Sequence, residues 1–184
     1  MHESHQSVET YVLDSNPLLE AFGNAKTTRN VNSSRFGKFI QVNVQTKTRE
    51  IQTAQILTYL LEKSRAVSVS QDERSFHIFY QGLASAEIRA KYQLASANPA
   101  DYGFLKCPSN NYTIEGVNDE QNLATTMACM RNIGFSEQEI DQIWQIIAAI
   151  LNLGNVEYRV NPDNDEAHVQ EATRSYAERV AALL

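Results

Sequence analysis

Between Ser136 and Gly154 the chain places Ile140, Ile143, Trp144, Ile147 and Leu151 at intervals of three and four, a pattern that only an α-helix turns onto one face. Ser136 can cap that helix, with Glu139 three residues on completing a capping box, and Gly154 is a natural stop. A one-sided apolar helix has to be covered, and the sequence supplies covers. Asn118 can cap a helix with Leu123, Met127 and Met130 on one face, closed by Gly134. From Asp72 onward Phe76, Phe79, Tyr80 and Leu83 keep helical spacing, with Gly82 interrupting late. The strongest apolar run, Ile143 to Leu153, contains Gln145 and Asn152 and is too short and too polar to cross a bilayer.

The first third reads differently. Ser7 to Leu13 is expected to be a short helix ended at Asn16-Pro17, because proline disfavours helix in the residue before it. Leu18, Leu19, Ala21 and Phe22 form an apolar turn stopping at Gly23. Asn24 to Lys38 is almost wholly polar or basic, cannot bury itself, and is expected to be a loop. Phe39 to Val44 then alternates, with Ile40, Val42 and Val44 on one face, and a second β-rich run follows from Ile51 to Leu60. An antiparallel pair is expected, its register open because the connection Gln45 to Glu50 lacks a tight-turn signal. Asn98 to Asn111 reads as irregular, Val156–Val160 as a short strand, Asn161 to Asp165 as a solvated loop and Ala167 to Leu184 as a last helix. The expectation is one α+β domain, mainly α-helical, with an antiparallel strand pair.

Lys plus Arg number 16 against 22 Asp plus Glu, a net charge of −6, which argues against a dedicated nucleic-acid binder. Cys107 and Cys129 form neither a disulfide framework nor a zinc spacing, and no basic run precedes an apolar core at the N-terminus. A soluble, intracellular protein is expected. His2 and His5 lack a third ligand, Asp163, Asp165 and Glu166 do not match a calcium loop, and Cys107 has no activating neighbour. His77 reads as a packing histidine within the Phe76–Tyr80 helix.

The polar loop is where chemistry is to be sought. Two asparagines, two serines and an arginine crowd into the positions from Asn30 to Arg35, directly before a strand. Amide groups can cradle phosphate oxygens, a serine hydroxyl suits Mg²⁺, and an arginine fork can clamp a carboxylate. Asn16-Pro17-Leu18-Leu19-Glu20-Ala21-Phe22-Gly23-Asn24-Ala25-Lys26-Thr27, followed by Asn30-Val31-Asn32-Ser33-Ser34-Arg35-Phe36-Gly37-Lys38-Phe39-Ile40, resembles the switch I region of the myosin motor domain. Tyr59-Leu60-Leu61-Glu62-Lys63-Ser64-Arg65 resembles the end of the following transducer strand, and Glu73 to Gln81 the helix after it. Gly134-Phe135-Ser136 and the helix to Asn155 resemble the upper 50-kDa subdomain, so the likeness covers nearly the whole chain.

That resemblance implies part of a P-loop NTPase motor fold of the myosin and kinesin kind. Residues 1–38 would be a helix and switch I, 39–65 transducer strands and 66–184 a helical upper 50-kDa segment. It implies that Ser34 gives a hydroxyl to Mg²⁺ and that Ser33 sits against the γ-phosphate of ATP and the attacking water. Asn30 would contact phosphates, Asn32 would hold the loop closed, and Asn24 and Lys26 would lie at the pocket's entry. Arg35 would pair with a glutamate of switch II, and Val31 would point away. The chain contains no Gly-x-x-x-x-Gly-Lys followed by Ser or Thr and no Asp-x-x-Gly-Phe-Glu. By itself it is therefore expected not to hydrolyse ATP. The implied setting is an actin-based, Mg²⁺-dependent ATPase of the cytoplasm and cytoskeleton. Its partners would be actin filaments, the rest of a heavy chain, and light chains or calmodulin on a neck. The competing reading is a short, non-catalytic binding or regulatory module of the same family.

Overall fold

The computed structural model describes residues 7–162 and 165–184; His2, His5 and Asp163 lie outside the described residues. Helix α1 runs Val8–Gly23, capped by Ser7, whose hydroxyl accepts from the Thr10 amide. It does not end at Asn16-Pro17: Pro17 lies inside it. A proline in a helix interior costs about 3 kcal/mol. Here packing outweighs that cost, because Ala21 is buried and Leu18 and Phe22 lean on the core where α1 crosses α4 (Asp119–Asn132) and α2 (His77–Ala84).

Two short strands follow, β1 (Asn24–Ala25) and β2 (Ser33–Ser34), paired antiparallel as Asn24↔Ser34 and Ala25↔Ser33. β3 (Gly37–Val44) and β4 (Ile51–Tyr59) form the expected antiparallel ribbon, in the register Ile40↔Ile56 and Val42↔Ala54. The register jumps from Asn43↔Thr53 to Val44↔Ile51, so Gln52 is an extra, bulged residue and the alternation expected to reach Val44 breaks before it. The side carrying Ile40 and Ile56 is half-buried near α1, whereas Phe39, Leu57 and Tyr59 are exposed. Among the described residues both outer edges of this ribbon are unpaired.

The helical part turns on α2. The helix begins at His77 rather than near Asp72, and α3 (Ala86–Lys91) follows it, with Ser85 capping Ile88. α4 is capped by Asn118, which accepts from the Glu120 and Gln121 amides. α5 (Glu137–Leu153) starts at the expected capping box, with Glu139 Oε2 accepting from the Ser136 amide at 2.8 Å. Ile140, Trp144, Ile147 and Leu151 are buried as expected, in one cluster with Phe79, Leu83, Leu123, Met130 and Leu105. Trp144 is 1% exposed, and its indole N–H donates to Met127 Sδ at 3.2 Å.

Gly82 is not an interruption. It sits inside α2 because a Cβ there would stand 2.7 Å from the Trp144 ring. Gly154 has φ −62°, an ordinary helical value, so it is not needed for a left-handed cap; its lack of a side chain admits the Phe104 ring, 2.6 Å from where a Cβ would stand. Beyond it, β5 (Tyr158–Val160) pairs antiparallel with β6 (Ala167–Val169). The last helix, α6 (Arg174–Leu183), therefore begins later than Ala167 and lies along α5. Tyr158 pairs with Val169 in that hairpin, which holds 167–169 extended. Both cysteines are free thiols. Among the described residues no helix is long and apolar enough to cross a membrane.

Gly82→Ala isolates the packing claim. Alanine would gain up to about 1 kcal/mol of helix propensity, but overpacking against a buried ring costs about 1–3 kcal/mol. The expected result is a lower urea midpoint with unchanged slope; a raised midpoint contradicts the fit of Trp144 over Gly82.

Candidate functional site

The polar loop is held by its two ends. At its entry Asn24 and Ala25 pair with Ser34 and Ser33, and the Arg35 amide donates to the Gly23 carbonyl at 2.8 Å. The Phe36 ring closes over Gly23, on the space a Cβ would take, so a side chain there would displace the ring. Ala25 also bridges to Phe76, and the Arg74 amide donates to the Lys26 carbonyl at 3.0 Å, which ties the loop to the residues leading into α2.

Within the loop the turns are made by its own side chains. Thr27 and Asn30 exchange bonds, the Thr27 amide donating to the Asn30 carbonyl at 2.8 Å and the Asn30 amide to Thr27 Oγ1 at 3.1 Å. Asn30 Oδ1 accepts from the Asn32 amide at 2.8 Å, an Asx turn. Asn32 is the hub. Its Nδ2 donates to Glu20 Oε2 at 3.0 Å, while its Oδ1 receives Asn24 Nδ2 at 3.1 Å and lies 3.0 Å from His77 Nε2. The carboxylate of Glu20 can only accept, so it fixes which way the Asn32 amide points. Oδ1 then faces His77, and the imidazole has to be the tautomer with hydrogen on Nε2.

His77 is thus more than the packing residue that its place in the Phe76–Tyr80 helix suggested. It is half-buried, and burial first, then the Arg74 charge, lowers its pKa from 6.5 to about 4, opposed by Asp119 and Glu20. Neutral imidazole is the form that fits the site at neutral pH.

The expected site residues fall into groups. Asn24 and Asn32 are brought together, as are Ser33 and Arg35: Arg35 NH1 donates to Ser33 Oγ at 3.1 Å. Ser33 is half-buried and Ser34 exposed, as neighbours on a strand must face opposite ways; the Ser34 hydroxyl donates to the Phe36 carbonyl at 2.8 Å. Lys26 reaches the Thr113 carbonyl at 3.4 Å, away from Ser33. Val31 is 54% exposed. Asn24 is buried with Oδ1 unpartnered among the described residues, an acceptor left without a donor.

Arg35 is engaged from the other side by Glu62, whose Oε2 accepts from Nε at 2.5 Å. The same Glu62 oxygen accepts from Nε of buried Arg65 at 2.8 Å, and Arg65 NH1 donates to Glu73 Oε2 at 2.9 Å. The two guanidinium groups hold the Glu62 carboxyl below its usual range, Arg35 contributing most. Beneath this chain Arg74, 0% exposed, pairs with Asp119 at 2.8 Å and stacks 3.7 Å from the Tyr80 centroid, while burial pushes Tyr80 up to about 12. Glu20, Glu62, Glu73 and Arg65 were not among the expected site residues. A pair such as Glu62 and Arg65, three apart, is readable as local charge complementarity. Nothing local places Glu62 beside Arg35.

A family model described as "Myosin head (motor domain)" matches residues 1–184. The chain belongs to the myosin head family. Myosin-15 of Arabidopsis thaliana is 44% identical over 182 residues, covering 99% of this chain and 12% of that protein. The unconventional myosin heavy chain 6 of Caenorhabditis elegans is 43% identical over 180 residues, 98% of this chain and 8% of that protein. The myosin ID heavy chain of Dictyostelium discoideum is 41% identical over 177 residues, 96% and 16%. The chain therefore spans a small part of the length of these myosins.

The His77 contact gives a pH prediction. Its folded pKa lies below the unfolded one, so between pH 6.5 and about 4 the unfolded chain binds more protons, and stability conferred by neutral His77 is lost as pH falls through that window. His77→Gln, which keeps a donor and cannot titrate, should flatten this slope in denaturant midpoints measured at successive pH values. An unchanged slope contradicts the assignment.

Proposed function

We propose that residues 24–38 are a nucleotide switch in an actin-based motor ATPase, and that this chain supplies the switch I side of its active site. The reading rests on one observation above the others: Ser33 and Arg35 are locked together on a loop whose two ends are pinned to rigid elements. In this reading 1–38 carry the helix and switch, 39–65 the transducer strands, and 66–184 the helical upper 50-kDa segment of a P-loop NTPase fold.

The donor set suits MgATP. Hydroxyls are hard oxygen ligands of the kind Mg²⁺ takes, and loop amides suit phosphate oxygens. Ser34 is exposed and uses its hydroxyl hydrogen on Phe36, so its oxygen lone pairs are open to a cation. The orphaned Asn24 Oδ1 offers a further polar atom at the loop's entry. When bound, MgATP would supply the transferable γ-phosphoryl group and the metal charge that neutralises it.

The residues of the chain then position and shield. Ser34 would ligate the cation, Ser33 would orient the attacking water and γ-phosphate, and Asn30 would contact phosphates. Asn32, bonded to Glu20, Asn24 and His77, would help hold the loop closed. Asn24 and Lys26 would border the entry, and Arg35 would receive a carboxylate from elsewhere in the heavy chain as the loop closes. Such closure is an order-changing step able to drive motion on actin filaments. Light chains or calmodulin on a neck, and a cytoskeletal place in the cytoplasm, belong to the same proposal.

The test is a chimaera in which this chain replaces its counterpart in the Dictyostelium myosin ID heavy chain. It should bind and turn over MgATP with actin activation. Arg35→Ala should lower the hydrolysis step about 10²-fold or more while nucleotide still binds. The 184-residue chain by itself should show no turnover. A chimaera whose turnover survives Arg35→Ala, or an active isolated chain, contradicts the proposal.

A further inference from the structure

Arg35 carries five N–H groups, and the direction from which each is approached decides what the residue can still do. Glu62 takes the Nε–H at 2.5 Å, and NH1 donates to Ser33 Oγ at 3.1 Å, so the terminal NH1 and NH2 edge faces the serine side of the loop. Glu62 is itself fixed. Its backbone amide donates to the Arg35 carbonyl at 2.9 Å, and its carboxylate takes Arg65 Nε at 2.8 Å and Arg65 NH2 at 3.4 Å.

Arg65, 7% exposed, is fastened in turn. Its NH1 donates to Glu73 Oε2 at 2.9 Å and to the Arg74 carbonyl at 3.2 Å, and its own carbonyl accepts from Ser75 Oγ at 2.8 Å. Glu73 Oε1 then accepts from the Thr28 amide at 3.4 Å, near the loop's start. Two arginines and two glutamates thus alternate along a neutral chain that meets the loop at Thr28 and again at Arg35.

We propose that Glu62 is a positioning residue for Arg35: anchored through Arg65 and Glu73, it grips the Nε edge of the guanidinium so that the terminal edge stands beside Ser33, ready for a second carboxylate. The inference rests on reading the loop as a nucleotide switch. The interaction costs nothing new on closure, because a guanidinium can hold one carboxylate side-on and another end-on at once. Glu62 touches neither nucleotide nor water; it acts through Arg35. Loss of its charge frees the guanidinium to swing, and misplacement of a catalytic group by about 1 Å can cost on the order of 10²-fold in rate.

Two measurements test this. In the unaltered 184-residue chain, NMR exchange of arginine side-chain Nε–H should be slow for Arg35 and Arg65 and fast for exposed Arg29. Glu62→Gln, equal in shape, should speed exchange at Arg35 while the chain stays folded. Exchange at unaltered Arg35 as fast as at Arg29 overturns the proposal without any variant. In the myosin ID chimaera, Glu62→Gln should leave nucleotide affinity within about twofold and lower single-turnover hydrolysis about 10²-fold, and Glu62→Asp should recover part of it. Unchanged hydrolysis, or affinity falling in step with it, also overturns the positioning role. A parent chimaera that neither binds nor turns over MgATP would instead contradict the nucleotide reading, and the exchange result would then judge the grip of Glu62 on Arg35 by itself.

Discussion

The guanidinium of Arg65 is almost wholly removed from water, and a buried cation is tolerable only when paired and hydrogen-bonded. Glu62 and Glu73 meet that demand from two sides, and both carboxylates also reach outward to the polar loop, one to the Arg35 side chain and the other to the Thr28 amide. The pairing of Arg65 therefore ties into the loop at Thr28 and at Arg35. Arg74, stacked on Tyr80 and paired with Asp119, repeats the arrangement one layer deeper and joins the charge chain to α2 and α4. Breaking a buried pair by removing one partner costs about 3–5 kcal/mol, so these charges hold their places firmly.

On that foundation the loop itself is assembled from weak, local bonds. The Asx turn at Asn30 and the triple engagement of Asn32 shape its middle, while β1 and β2 close its ends over only two residue pairs. Rigid ends and a lightly bonded middle are what a switching segment requires, since local opening draws on regions with few buried contacts. The β3–β4 ribbon differs in kind: Phe39, Leu57 and Tyr59 are exposed, and among the described residues its edges are unpaired.

Much of this was legible beforehand where the signal is local. The α5 stripe, the Ser136 and Asn118 caps and the antiparallel ribbon follow from periodicity and capping chemistry, and the family follows from ordered motifs around Asn30–Arg35. Local signals mislead where tertiary packing overrides local preference. Pro17 stays helical because Leu18, Ala21 and Phe22 have a core to meet, Gly82 makes room for Trp144, and residues 167–169 are extended because Tyr158–Val160 lies opposite. The site was legible by residue type only. That Asn24 meets Asn32, and Ser33 meets Arg35, depends on loop closure over short spans; that Glu62 and His77 join them depends on chain returns of 27 and 45 residues.

The claim on which the account stands is that the middle of this loop orders on nucleotide while its ends do not move. Hydrogen–deuterium exchange on the myosin ID chimaera, with and without MgATP, measures it residue by residue. The account predicts that amides of residues 30–32 slow by about tenfold or more with MgATP while those of Ala25 and Arg74 stay as they were. Equal exchange at 30–32 in the two states would contradict it.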